Sequence, residues 1–329
     1  MAKPEQQTDV PQLAVSKRFG QYKKEEKKEE RKADRSVESE NFKRLVSLFQ
    51  EIKIKPRAGW SNEQYDMRRF YSIYNWIRNS ALELDYSAED VAAFCSSINR
   101  FDKEAGPKLE ISAYLSALIK AGRETEYLLP LNHTDGDFPY LGFENTKNIT
   151  IVGDVDSIGN RMKDGLITVH GWGGHVGQDM RGGRIIIHGD CDGAGSQMRG
   201  GEIIVNGRIR KGHQTSGSYC GIGFGTSGGK IVVSGDCENV ANVSQGDITV
   251  GGNVITAGMC NDGAVIRIGG SVSEELGRWM RDGEVHIGGD IPGIIRDFGG
   301  GKIFHKGRLI VDMPRFYGDG LKTVIEIPK

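Results

Sequence analysis

The stretch Gly177–Gly207, GQDMRGGRIIIHGDCDGAGSQMRGGEIIVNG, contains one unit twice, 18 residues apart. Each copy has a Gly-x-x-Met-Arg-Gly-Gly corner, a short β-branched strand and a closing glycine. Working outward, the I-x-V-x-G unit recurs with closing glycines at 153, 171, 189, 207, 235, 252, 270, 289 and 307. The intervals are 18 except for one of 17, one of 19 and one of 28, which places a ten-residue insertion within Arg208–Gly229. Nine near-equal periods identify a repeat architecture before any single residue is weighed.

Alternation within the strand separates inside from outside. Two columns are β-branched almost throughout: one runs from Ile149 to Ile303, the other from Ile151 to His305. The position between them is outward and reads Thr150, Thr168, Ile186, Ile204, Val232, Thr249, Arg267, His286, Phe304. A larger apolar residue or its substitute precedes a glycine by three at Met162, Met180, Met198, Val243, Cys260, Met280 and Phe298. A small residue precedes that position by three at Gly159, Gly177, Gly195, Ala257 and Gly277. Eighteen residues suffice for one solenoid coil with glycine corners, whereas a propeller blade needs about 40. Glycine at every third position, as collagen requires, is absent. The spacing predicts a right-handed parallel β-helix of about nine coils over residues 148–312, with a C-terminal cap at 313–329.

Forty-one of the 47 glycines fall in residues 151–329, so the first part of the chain is a different material. Residues 1–36 read as a disordered charged tail, with Lys23–Lys32 all charged and mixed in sign. Residues 37–125 read as a four-helix domain. Phe42, Leu45, Val46, Phe49 and Ile52 recur at helical spacing before Pro56, and Ser61 with Gln64 forms a capping box for a second helix. That helix carries Phe70, Tyr71 and Tyr74, a face read as packing. Ser87 with Asp90 opens a third helix, and Ile111–Leu118 marks a fourth, stopped at Gly122. Residues 126–147 read as a connector.

The formal net charge of −1 argues against a globally basic, nucleic-acid-coating protein. No apolar run approaches the roughly 18 residues of a membrane span, and the first residues lack the apolar core of a secretory signal. Five cysteines with no C-x-x-C pair read as reduced thiols, and the expected location is cytoplasmic.

The repeat resembles a known β-helical family over about residues 148–310. The resemblance is carried by Gly177–Gly189 (GQDMRGGRIIIHG) and Gly195–Gly207 (GSQMRGGEIIVNG). The family is the Gly-x-Gly-x-Gly domain at the C-terminus of the glutamate synthase large subunit, shared with one of the subunits of formylmethanofuran dehydrogenase. It implies a non-catalytic scaffold packed against partners. Residues 1–147 match neither relative, and no glutaminase, flavin-binding or iron–sulfur segment accompanies the solenoid.

Lys163, Arg181 and Arg199 follow the Met position on three successive coils, and Arg161, Arg208, Arg210 and Lys211 are candidates to extend the patch. Like charges about 5 Å apart repel, so this ladder has either nearby Asp179 and Glu202 as partners or an external anion. The Ile186, Ile204, Val232 stripe is expected to be covered, by the N-terminal helices in the first instance, otherwise by a second copy or a partner. His170 and His188 share an outward column but lack further ligands for a metal, and Cys191 and Cys237 lie on non-adjacent coils. Cys260 reads as a small core residue, and Cys220 lies in the insertion. Gly217–Gly229 lacks the Gly-Lys-Ser/Thr ending of a phosphate loop. No catalytic residues, cofactor or metal are expected. The leading expectation is a scaffold or assembly protein that binds a protein partner, with a homodimer admitted. The alternatives are a ribosome- or RNA-associated factor and a structural subunit of an enzyme like those two relatives.

Overall fold

The computed structural model describes residues 39–54, 67–101, 108–209, 221–315 and 323–327. Most of them form a β-solenoid of about nine turns, preceded by four helices. One side of the solenoid is an 11-stranded sheet running in chain order from Glu126–Pro130 to Arg308–Met313. The other is a seven-stranded sheet from Val155–Ile158 to Val272–Leu276. Pairing is parallel throughout both sheets except at the end, where Arg308–Met313 folds back antiparallel on Gly301–His305.

The sequence columns are the sheet register. Ile149, Ile167, Ile185 and Ile203 are successive partners and buried, and the column continues through Ile231, Ile248, Ile266, Val285 and Ile303. Each such side chain contributes about 1.5–3 kcal/mol by leaving water. The second column ends at half-exposed His305, whose Nε2 lies 2.9 Å from the Gly289 carbonyl oxygen.

The segment read as a connector begins with a strand. Glu126–Pro130 pairs residue for residue with Asn148–Val152, so Tyr127 and Leu129 extend both core columns by one coil. It lacks a closing glycine and therefore stands outside the sequence repeat. On the insertion coil, Ile209 bridges Cys191 and Gly221 pairs with Gly193; the residues between them lie outside the described ones.

The Met position lies five residues before the first core column, and this constant offset corrects two assignments. Asn261, fully buried, takes the position on the Gly270 coil, with its amide bonded to Ala264 in both directions. Cys260 is half-exposed at the left-handed corner before it, φ 55°, and is not a core residue. By the same shift Gly258, φ 71°, and not Ala257, is the small corner residue. The Met–Gly pairing itself runs between coils. A Cβ on Gly183, Gly201 or Gly229 would lie 2.6–2.7 Å from the Cε methyl of Met162, Met180 or Met198 on the preceding coil. Thr226 fills the position on the insertion coil and donates its hydroxyl to Gly195 O at 2.6 Å.

The helices are α1 (Glu40–Ile54), α2 (Met67–Ala81), α3 (Ala88–Phe101) and α4 (Leu109–Ala121). Ser87 and Asp90 form a capping box at the start of α3, with Asp90 N–H donating to Ser87 Oγ and Ser87 N–H to the Asp90 carboxylate. Ser61 and Gln64, like residues 1–36, lie outside the described residues. Helix α4 is buried on nearly every side and is the centre of the cap. Phe70 and Tyr74 of α2 pack on Phe143 with ring centroids 5.4 and 5.2 Å apart. Gly142 N–H donates to Ser116 Oγ of α4, and Tyr114 OH donates to Leu45 O of α1. The helices thus close the N-terminal end of the solenoid and do not lie over its side. At the other end, Val324–Glu326 pairs antiparallel with Ile294–Arg296. None of the described helices is long and apolar enough to cross a membrane.

Candidate interaction surfaces

The residue after each Met position lies on the outside of a corner. Arg181 N–H donates to Met162 O and Arg199 N–H to Met180 O, so Lys163, Arg181 and Arg199 stack on adjacent coils, all exposed. Two have carboxylate partners: Lys163 Nζ is 2.7 Å from Glu144, and Arg199 is 3.8 Å from Asp179. Arg181 has no salt bridge among the described residues. Glu202 is not their partner; it pairs with Arg184 and Lys230.

Of the proposed extensions of this edge, the two that are described, Arg161 and Arg208, do not join it. Arg161 bonds the hydroxyl of Tyr71 and lies over its ring, 5.5 Å from the centroid. It fastens α2 to the solenoid corner. Arg208 follows the closing glycine at the far end of a strand and pairs with Asp190 at 3.4 Å. The strand Glu202–Val205 separates it from Arg199. Arg210 and Lys211 lie outside the described residues.

The outer face of the large sheet has three columns. The central one holds Ile186, Ile204 and Val232 as successive partners, half-exposed, with Thr168 and Thr249 on either side. Among the described residues the expected helical cover is not seen: the helix with extensive contact to this sheet is α3, on its first strand, Glu126–Pro130. A charged column one residue before the first core column escaped the sequence reading. It alternates Arg184, Glu202, Lys230, Asp247, with Glu202 bridging its two neighbours at 3.0 and 3.3 Å. Its signal was available as a fixed offset from the core isoleucines.

The third column contains His170 and His188, stacked with centroids 4.6 Å apart and rings 7° from parallel. His188 Nδ1 lies 3.1 Å from the Asn206 amide that continues the column. Burial lowers both imidazole pKa values, and at His170 the neighbouring His188 adds to the effect. Among the described residues no three His, Cys, Asp or Glu side chains are grouped to hold a metal. Cys191 and Cys237 are buried with Ile209 between them in the ladder, and burial raises both thiols, Cys237 to about 12. Cys220 lies outside the described residues. The described part of the glycine-rich stretch, Gly221–Gly229, enters solenoid strands and opens no helix.

A side-chain ladder also runs along the corner after the closing glycines. Asp154, Asp190 and Asp236 each accept the backbone N–H of the residue one coil on, Trp172, Arg208 and Asn253. Asn253 does the same for Ser271. No family model, curated protein or solved structure matches the chain.

Proposed function

We propose that this chain is a scaffold that binds a protein partner across the basic edge of the solenoid and the adjoining helical cap. The observation that carries this reading is the bond from Arg161 to Tyr71. It holds α2 against the coil that presents Lys163, so helices and edge move as one surface. The same role is what the resemblance to the Gly-x-Gly-x-Gly domains implies. The carboxylates beside Lys163 and Arg199 offset part of the edge's charge and favour a protein over an RNA backbone as its ligand. The test is affinity capture of the full chain from native lysate, with and without nuclease, beside a Lys163→Gln, Arg181→Gln, Arg199→Gln variant. A nuclease-resistant partner lost or weakened at least tenfold by the variant is expected. Nuclease-sensitive capture would favour the RNA-associated alternative, and capture indifferent to the variant would remove the edge from the interface.

A further inference from the structure

The outer face of the large sheet is self-complementary. Ten parallel strands carry it, from Glu126–Pro130 to Gly301–His305, and its midpoint falls between Glu202–Val205 and Ser227–Val233. Folding each column about that midpoint sets the central positions, and the two ends, against fitting ones. In the charged column Glu202 meets Lys230, Arg184 meets Asp247, and Glu126 at one end meets Lys302 at the other. The uncharged pair in the same column is Leu166 with Val265. In the central column Ile204 meets Val232, Ile186 meets Thr249, and Leu128 meets Phe304. In the third column the bulky rings meet bare backbone: His188 faces Gly251 and His170 faces Gly269, while Asn206 faces Ser234.

We infer that this face binds a second copy of the same chain, with a two-fold axis parallel to the strands between Glu202–Val205 and Ser227–Val233. Such an axis reverses the order of coils and leaves each column opposite itself, as the folded pattern requires. The alternating charges then form a two-by-four checkerboard across the interface, beside an apolar centre. The other two-fold arrangement, coil facing its own coil, sets Arg267 against Arg267 and the charged column against imidazole and glycine. Charge pattern therefore selects the antiparallel pair. The face is large enough: a five-residue strand spans about 17 Å and ten strands span about 45 Å, roughly 750 Å² per copy. A stable interface of standard size takes about 800 Å² per partner. Isologous contact between equivalent patches is the common form of homodimer, and two sheets pack face to face about 10 Å apart.

Sedimentation of the full chain and two charge variants tests this. One variant carries Glu202→Lys and Asp247→Lys and is wholly positive at the four checkerboard positions. The other carries Arg184→Glu and Lys230→Glu and is wholly negative. The intrachain pairs they break are partly solvated, so both variants should keep the fold, which thermal melting checks. The wild type is expected to sediment at twice the chain mass at about 10 μM. Each variant alone should self-associate at least tenfold more weakly, and an equimolar mixture should restore the dimer. A monomeric wild type at about 100 μM, whatever then covers the face, overturns the inference. So does either variant dimerising alone as the wild type does, or a mixture of folded variants that stays monomeric. The face and the basic edge lie on different sides of the coil. A dimeric wild type that captures no protein partner, or whose capture the edge variant leaves unchanged, would sink the scaffold reading and leave this one standing.

Discussion

Seven side chains occupy the same strained place in eight successive coils, the remaining coil holding Gly225. Arg161, Asp179, Gln197, Asn242, Cys260, Trp279 and Asp297 all have φ between 53° and 56°. Left-handed backbone costs an ordinary L-residue roughly 1–2 kcal/mol, less for Asn or Gly. Cys260→Asn is therefore expected to stabilise the fold by about 0.5–1 kcal/mol, read as a higher urea midpoint with unchanged slope. The corner glycine two residues before this position tolerates no such freedom. A Cβ on Gly195, φ 73°, would overlap Ile231 of the next coil, so Gly195→Ala should cost several times what Cys260→Asn gains. The stacked imidazoles give a pH dependence of definite sign. Their folded pKa values lie below the ordinary value of 6.5, so the unfolded chain takes up protons first. Stability is full above pH 6.5 and is lost as pH falls from there through the folded pKa values. The melting temperature should drop between pH 7 and pH 5, and His188→Asn should flatten that drop. An unchanged pH profile in the variant would mean that the histidines do not contribute.

At the scale of elements, the strands were legible and the corners were not. The I-x-V-x-G spacing names the core columns because a stacked parallel sheet repeats its side chains in register. It cannot say where a 17- or 19-residue coil loses or gains its residue. Those positions appear as register shifts, between Val240 and Ala241 and between Val254 and Thr256, and the first of them displaced the reading of Cys260 and Ala257 by one. Glu126–Pro130 was hidden for another reason: it borrows its register from Asn148–Val152 without carrying the repeat. The four helices announced themselves through apolar spacing, but their place against Phe143 and Tyr140 is a tertiary fact with no local signal. Phe143 is the joint between the two parts, fully buried among Phe70, Tyr71 and Tyr74. Phe143→Ala should cost about 3–5 kcal/mol, taken mainly from the cap. Hydrogen exchange is the readout: α2 and α4 should lose protection while the strands beyond the Gly189 coil keep theirs. Uniform loss along the chain would show cap and solenoid to be one cooperative unit.

For the molecule as a whole, the two surfaces combine. Lys163, Arg181 and Arg199 stand at the third to fifth of the ten strand levels, so in the antiparallel pair the second copy's three stand at the sixth to eighth. The columns stay opposite themselves, so both basic edges fall on the same side. Six cations then line one rim over roughly 25 Å, at about 4.8 Å per level. The sequence displayed three of these residues as a stacked ladder, but nothing in a single chain's spacing shows a rim made by two. A partner spanning that rim gains from both copies, and linked contacts can strengthen binding by about 10²–10⁴ without any new interaction. The wholly negative variant, Arg184→Glu with Lys230→Glu, leaves Lys163, Arg181 and Arg199 untouched and yet should bind the captured partner at least tenfold more weakly than the wild type. Adding the wholly positive variant in equal amount should restore the affinity, because the mixed dimer rebuilds the rim. Surface-immobilised partner, titrated with each variant and with the mixture at two salt concentrations, gives the measurement. Equal affinity for wild type and variant would mean that each edge works alone and that the rim carries no cooperation.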